Sequence, residues 1–416
     1  SMSGAEELSR PFEYSVVGLA KPTEPVKFDD LLGMPIQVTA GVGLDSPRIY
    51  HGLITAIAFE RSVGSFLGYK LTMRPWLWLL TRGAKARIFQ QKSVPEIIKA
   101  VFGEYGGDFD DQTTATYRPR EYCVQYRETD FNFVSRLMED EGIFYFFRHE
   151  AGKHTLVLGD KPSVHVPMLG LSSVDYYDDG DADHHTATVS RWRWSREIRT
   201  GKATVRDHSF LAPAQNYQQD ETAPATHAQG AIEHYAYPAS LTTHEEGAVS
   251  RLSGEAKAIV KRRLEEMRSR FAAAQATTSV VNLCTGARLK LAKHPVADQN
   301  TEYVVFSTRV KMQLSGYEGG ATDVTKHECE FSAFESKLPF RPERLTPRPR
   351  MAGPQTATVV GPSGEEIFVD KHGRVKLQFH WDRDGAKDDK SSCFVRVAQP
   401  SAGKGWGMVF LPRIGQ

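Results

Sequence analysis

Leu67-Gly-Tyr-Lys-Leu-Thr-Met-Arg74 decides the fold class: Leu67, Tyr69, Leu71 and Met73 alternate with Gly68, Lys70, Thr72 and Arg74. A period of two puts every second side chain on one face of a pleated strand, so the segment predicts a half-buried strand resting on a core. Working outward, Phe12 to Leu19, Ile36 to Ala40 and Ile49 to Phe59 are further strand candidates, separated by Gly, Pro and Asp clusters. The following Trp76-Leu-Trp-Leu-Leu80 is too apolar for a surface and is expected to plug a barrel or a domain seam. Ser1 to Arg10 is polar, carries no basic-then-apolar signal segment, and its Ser1-Met2 start is read as a cloning remnant.

Two short helices interrupt the strands. Ser93-Val-Pro-Glu96 has capping-box spacing, and Ile97, Ile98, Val101, Phe102 and Tyr105 share a face up to a stop at Gly106. A second helix begins near Thr129-Asp130, buries Phe133, Val134, Leu137 and Met138, and stops at Gly142. Tyr122 to Tyr126 is a strand between them. Ile143 to Phe147, a turn at Glu150 to Lys153, and His154 to Leu158 form a hairpin whose aromatic first strand is expected to be covered on both faces. Asp175-Tyr-Tyr-Asp-Asp-Gly-Asp-Ala-Asp-His-His185 gathers carboxylates and two histidines. Lacking an HExxH helix or a complete calcium loop, it reads as a solvated loop and not a metal site.

Strands resume at Thr188 to Trp194 and Lys202 to Phe210, followed by a polar stretch from Ala212 to Thr226. The longest helix is expected over Glu245 to Ala274, with Val249, Leu252, Ala256, Ile259, Met267 and Phe271 inward. Its other face mixes Lys257, Lys261, Arg262, Glu265, Glu266 and Arg268, which predicts a salt-bridged solvent face. Tyr303 to Leu314 and His327 to Phe334 are strands. Between Leu338 and Pro354, five prolines (339, 342, 347, 349, 354) and Arg341, Arg344, Arg348 and Arg350 mark a semi-rigid spacer. Those arginines are expected either to contact a neighbouring protomer's acidic surface, the reading preferred here, or to be solvated. Beyond it, Thr356 to Val360, Arg374 to Trp381, Cys393 to Val397 and Gly407 to Leu411 are four short strands with Gly-rich turns, as in a small OB-type barrel short of one strand.

Composition narrows the function. The chain has 416 residues, 40% hydrophobic and 25% charged, as in ordinary globular proteins of two to four domains. A formal net charge of +1 argues against a coat for DNA or an anionic membrane. No apolar run is long enough to span a bilayer as a helix. Cys123, Cys284, Cys329 and Cys393 form no CxxC pair and read as reduced, mostly buried thiols.

Several segments together resemble the valine-glycine-repeat protein G (VgrG) family, the spike-hub proteins of bacterial type VI secretion. The carriers are Arg74-Pro-Trp-Leu-Trp-Leu-Leu-Thr81, Arg87-Ile-Phe-Gln-Gln-Lys-Ser-Val-Pro-Glu-Ile-Ile98, Glu121-Tyr-Cys-Val-Gln-Tyr-Arg-Glu-Thr-Asp-Phe131 and Ser135-Arg-Leu-Met-Glu-Asp-Glu-Gly-Ile-Phe-Tyr145. Asp370-Lys-His-Gly-Arg-Val-Lys-Leu-Gln-Phe-His-Trp-Asp382, Gly403-Lys-Gly-Trp-Gly-Met408 and Pro412-Arg-Ile-Gly415 close the set. The resemblance implies a mainly β fold with a few helices: phage tail-hub-like β-barrel domains over residues 1–338, a Pro/Arg linker at 339–355, and an incomplete OB-fold neck at 356–416. It implies a homotrimer that caps an inner tube of Hcp-like hexamers, punctures target envelopes, and carries effectors and a PAAR-type tip protein on a β-helix needle beyond the neck. Assembly in the bacterial cytoplasm and export without a signal peptide follow from it.

No catalytic, cofactor-binding or metal-binding residue is assigned, no cofactor is expected, and the chain is not expected to be an enzyme. The alternative is a phage-like tail spike carrying cell-wall hydrolase activity, but no GxSxG, HExxH, P-loop or Cys/His nucleophile pattern supports it. A nucleic-acid-binding OB-fold using Lys371, Arg374, Lys376 and Trp381 is opposed by Glu365, Glu366, Asp370, Asp382, Asp384, Asp388 and Asp389. Neither nucleic acid nor stable membrane insertion is expected. His380 and Asp382 are expected to share a polar strand face opposite Phe379 and Trp381.

Overall fold

Alternation becomes a sheet where partner strands offer the matching face, and the first five strands do so. The computed structural model describes residues 1–416 other than 25, 42–46, 169, 172, 179–186, 225–226, 240, 242–245, 270 and 314–325. In it β1 (Met2–Glu7), β2 (Glu13–Ala20), β3 (Pro35–Ala40), β4 (Arg48–Val63) and β5 (Phe66–Arg74) pair antiparallel in the spatial order β1-β2-β5-β4-β3, with a single helical turn, α1 (Phe28–Leu31), between β2 and β3. Met73 lies between Tyr14 and Ile54, and all three are buried. The strand at the start of the chain is absent from the sequence reading. Met2, read as a remnant, is a core residue. β1 has too few apolar positions to announce itself; it is held because β2 and a distant strand pair on either side. Gly4 allows the fit, since a Cβ there would meet the Glu13 carbonyl oxygen at 2.2 Å.

After β5 the apolar run forms a 3-10 turn, Trp76–Thr81, burying Trp76, Leu77 and Leu80 as expected of a plug. It seals the seam to an inserted layer. There β6 (Ala84–Lys92) pairs with β8 (Arg120–Thr129), and α2 (Val94–Gly103) and α3 (Asp130–Glu141) lie close by. β7 (Phe109–Asp111), β9 (Phe144–Glu150) and β10 (Lys153–Gly159) make a three-stranded sheet. The Ser93–Glu96 capping box forms, Thr129 caps α3 through the Asn132 amide, and Gly142 adopts the left-handed stop at φ 68°. Both faces of β9 are covered: Tyr145 and Phe147 face one apolar cluster while Phe144 and Phe146 face another. β6 escaped the sequence reading because its central residues are all half-buried, without alternation.

The later strands close on themselves. β11 (Val174–Tyr176) and β12 (Thr188–Arg196) precede an excursion of β13 (Lys202–Val205), β14 (Gln219–Thr222), β15 (Glu233–Ala236) and α4 (Leu252–Arg268). Then β16 (Ala272–Thr278), β17 (Arg288–Ala292), β18 (Glu302–Gln313) and β19 (Lys326–Glu335) complete a ring in the order β17-β11-β12-β16-β19-β18, closed by β18 on β17. The far half of β18 also pairs with β1, joining this six-stranded barrel to the first sheet.

Several expectations change here. The long helix runs only over Leu252–Arg268, after a 3-10 turn at Glu246–Arg251; Ala272 to Ala274 lie in β16, where pairing on both sides outweighs the helix preference of alanine. Lys202 to Phe210 is a strand only to Val205, and the polar stretch contains β14. Asp175 and Tyr176 belong to strand β11 rather than a loop, while residues 179–186 lie outside the described residues, as do Glu245 and Leu314. The final block holds β20 (Ala357–Val360) against β21 (Lys376–Phe379) and a two-residue pairing of β22 (Ala402–Gly403) with β23 (Trp406–Gly407). Of Cys393 to Val397 only a Val375–Val395 bridge forms, and beyond Gly407 the predicted strand to Leu411 has no ladder. In place of a strand neighbour the Gln399 amide accepts from the Phe410 N–H at 2.7 Å and donates to its carbonyl at 3.1 Å.

Candidate functional site: a buried lock, a strap and an open neck edge

Where β1, β4 and the β9–β10 hairpin meet, charge is enclosed. Arg48 donates to both Glu6 carboxylate oxygens at 3.1 and 3.2 Å, and His149 Nε2 stands 2.8 Å from Glu6 Oε1. The His51 amide donates to His149 Nδ1 at 3.0 Å, so in the neutral ring the proton sits on Nε2, facing Glu6. The Trp76 amide donates to His154 Nε2 at 2.9 Å; His154 then carries its proton on Nδ1 and gives it to His51 Nδ1, also at 2.9 Å. Phe12 packs against His149 and His154. Burial would raise the Glu6 carboxyl, but Arg48 and His149 outweigh it and hold it at about 2. Burial, reinforced by His149 and His51, pushes His154 down to about 3. Removing one partner from such a pair strands the other charge. Nothing in the sequence reading singled these residues out. Their one signal is that two histidines sit at the ends of hairpin strands otherwise expected to be fully buried.

The strap is the second feature. From Leu338 to Arg350 the chain has no strand or helix and lies on α3 and α4. Arg341 binds Glu265 at 2.8 Å and donates to the carbonyls of Gly142 and Asp160 at 3.0 and 2.9 Å. Arg344 pairs with Glu266 at 3.1 Å, Thr346 donates to Glu139 through its amide and hydroxyl, and Arg348 reaches Asp140 at 2.7 Å. Proline removes amide donors that this extended path could not satisfy. Two expectations are corrected: Arg341, Arg344 and Arg348 of the linker contact this chain's own helices, and on the α4 polar face Glu265 and Glu266 are taken up by them while Lys257 and Lys261 stay exposed.

The third feature is the neck. Trp381 stacks on Phe379, meets Tyr126 edge-on and donates to Gln355 at 3.1 Å, so it joins neck to hub and is no free stacking platform. Arg374 is committed to Asp370 at 2.7 Å. β21 stops at Phe379 and the chain turns, with the Asp382 amide donating to the Phe379 carbonyl. Asp382 is therefore buried and His380 exposed, and the shared polar face does not form. Trp406 in β23 and Met408, Val409 and Phe410 past it are 68%, 59%, 76% and 58% exposed, an apolar edge whose ladder stops at Gly407. All four cysteines are unbonded, and no metal-ligating cluster occurs among the described residues.

Residues 5–315 match the phage tail baseplate hub (GPD) family, and residues 365–416 match the type VI secretion system/phage-baseplate injector OB domain. The whole chain is 39% identical to the type VI secretion system spike protein VgrG1b of Pseudomonas aeruginosa, covering 55% of its length, and 38% identical to VgrG1a, covering 63%. The chain is a VgrG-type member of the phage tail baseplate hub family. It spans a little over half the length of these VgrG relatives. Its fold resembles an Escherichia coli type VI component described as similar to T4 tail proteins gp27 and gp5, at TM-score 0.66 and 21% identity over 93% of this chain and 87% of that one. A chain of a Francisella PdpA-VgrG complex aligns at TM-score 0.61 and 9% identity, over 100% of this chain and 64% of that one.

Proposed function

We propose that the chain is a spike-and-hub subunit of a type VI secretion apparatus, three copies of which cap an inner tube of hexameric rings and travel outward with it. The observation that carries this reading is the apolar neck edge on a hub whose own core is closed. The exposed Met408, Val409 and Phe410, which follow β23 without a strand partner, suit pairing with further copies, and threefold repetition of one contact closes without leaving an edge. Identity to spike proteins along the whole chain supports the secretion setting. Cargo carriage and a tip protein would belong to segments that the longer relatives hold in addition.

The role is mechanical: no step needs an activated nucleophile or acid, and the perturbed groups in the lock are committed to one another. No helix among the described residues is long and apolar enough to cross a membrane. The test is tube capping. Electron microscopy of tubes assembled from the cognate hexameric protein, incubated with the full-length chain, should show density at one tube end. Bare ends at saturating concentration would contradict the proposal.

A further inference from the structure

Beneath the strap, among the described residues, arginines outnumber the carboxylates they share. Arg120, Arg262, Arg263 and Arg344 depend on three carboxylates, Asp140, Glu141 and Glu266, and Asp140 also serves Arg348. Asp140 stands 2.7 Å from Arg348, 3.3 Å from Arg263 and 3.9 Å from Arg120. Glu141 lies 3.0 Å from Arg120 and 3.3 Å from Arg262; Glu266 lies 3.1 Å from both Arg263 and Arg344. Two adjoining cavities open on this cluster. One, of about 340 Å³, is lined by six arginines, Arg118, Arg120, Arg136, Arg262, Arg263 and Arg348, and by three carboxylates, Asp140, Glu141 and Glu255, among the described residues. The second, of about 270 Å³, is lined by Arg263, Arg344 and Arg348 with Val205, Ala239 and Ile259, and by no carboxylate among the described residues.

We propose that these cavities bind a phosphate-type oxyanion, with Arg263 on α4 and Arg344 on the strap as its principal ligands and Arg262 as a supporting one. Guanidinium is the group suited to it, because its planar fork meets two oxygens of one phosphate at once. Arg263 is buried, and both burial and the neighbouring Arg344 cation pull its protonation equilibrium down, as expected of a guanidinium short of negative charge. Arg262 Nε is shut from solvent and has no acceptor. The combined space takes a diphosphate with room for water. An anion there would bridge α4 to the strap, so its binding would hold the neck against the hub. This inference is independent of the assembly reading, since it needs one chain only.

Isothermal titration of the intact chain with inorganic pyrophosphate, against sodium chloride at matched ionic strength, tests it. Saturable binding at about one site per chain is expected, at least tenfold weaker in Arg344→Gln and in Arg262→Gln, and unchanged in Arg413→Gln on the distant neck surface. A second arm with ADP distinguishes a free anion from a nucleotide's phosphates: uptake of both assigns the nucleotide class, and uptake of pyrophosphate alone assigns a free anion. Limited proteolysis gives a readout independent of the variants, with pyrophosphate expected to slow cleavage in 338–355 at least threefold. No saturable heat from wild type with either phosphate compound overturns the proposal, as would binding that survives both substitutions; the arginines would then serve a partner's carboxylates or solvent.

Discussion

The hairpin strand Phe144–Glu150 and the segment Trp406 to Phe410 are built from the same kinds of side chain and meet opposite fates. Phe144, Tyr145, Phe146 and Phe147 are each at most 8% exposed, whereas Trp406, Met408, Val409 and Phe410 are each more than half exposed. The first has a partner on each face and a paired neighbour for every residue from Phe144 to Glu150; the second pairs with a strand only at Trp406 and Gly407, and beyond Met408 it has a glutamine side chain in place of a strand. The hub thus spends its apolar residues on itself, and the neck withholds them.

Substitutions should separate the two regions. The largest effect is expected at the lock: Glu6→Ala leaves Arg48 buried without its partner and should lower hub stability by about 3–5 kcal/mol, read from urea unfolding. A loss below about 1 kcal/mol would show the lock to be ornamental. Acid should act next. His154 has its folded-state value pushed down to about 3 from the usual 6.5, and His51 is lowered also, by burial and then by His149. Their contribution is therefore fully present above about pH 6.5 and declines as pH falls, by up to about 1.4 kcal/mol per pH unit for each histidine. Urea midpoints at pH 7.5 and 5.5 should diverge for wild type and draw together in His154→Gln. Parallel curves would remove His154 from the account.

A smaller effect is expected at the strap. Arg341→Ala loses an ion pair and two carbonyl contacts and should cost about 1–3 kcal/mol, with faster tryptic cleavage near residue 344. Cleavage at the wild-type rate would mean that the prolines alone hold the strap. The smallest effect on the folded chain is expected at the neck edge, where Phe410→Ser should change the unfolding free energy by no more than about 0.5 kcal/mol.

What could be read from the sequence follows the same division. α2, α3, β5 and the β9–β10 hairpin announce themselves because their signals are local: a capping box, a left-handed glycine, a period of two. β1 and β16 do not. Met2–Glu7 is a strand because residues 307–312 lie beside it, and Ala272 to Ala274 extend because β12 pairs with all three and β19 joins at Ala274. The lock joins residues about 100 positions apart through hydrogen bonds that no spacing encodes. For the strap, the basic linker and the acidic Glu139-Asp140-Glu141 run were both visible, but their meeting within one chain depends on how the intervening barrel returns. Family resemblance gave the hub and neck division without giving any of these contacts.

The neck edge bears the central claim most directly, and sedimentation mass of the full-length protein at neutral pH measures it. The account predicts three times the subunit mass for wild type, and a single subunit with unaltered urea unfolding for a Trp406→Ser, Phe410→Ser double variant. One subunit mass for both proteins across the accessible concentration range would contradict it.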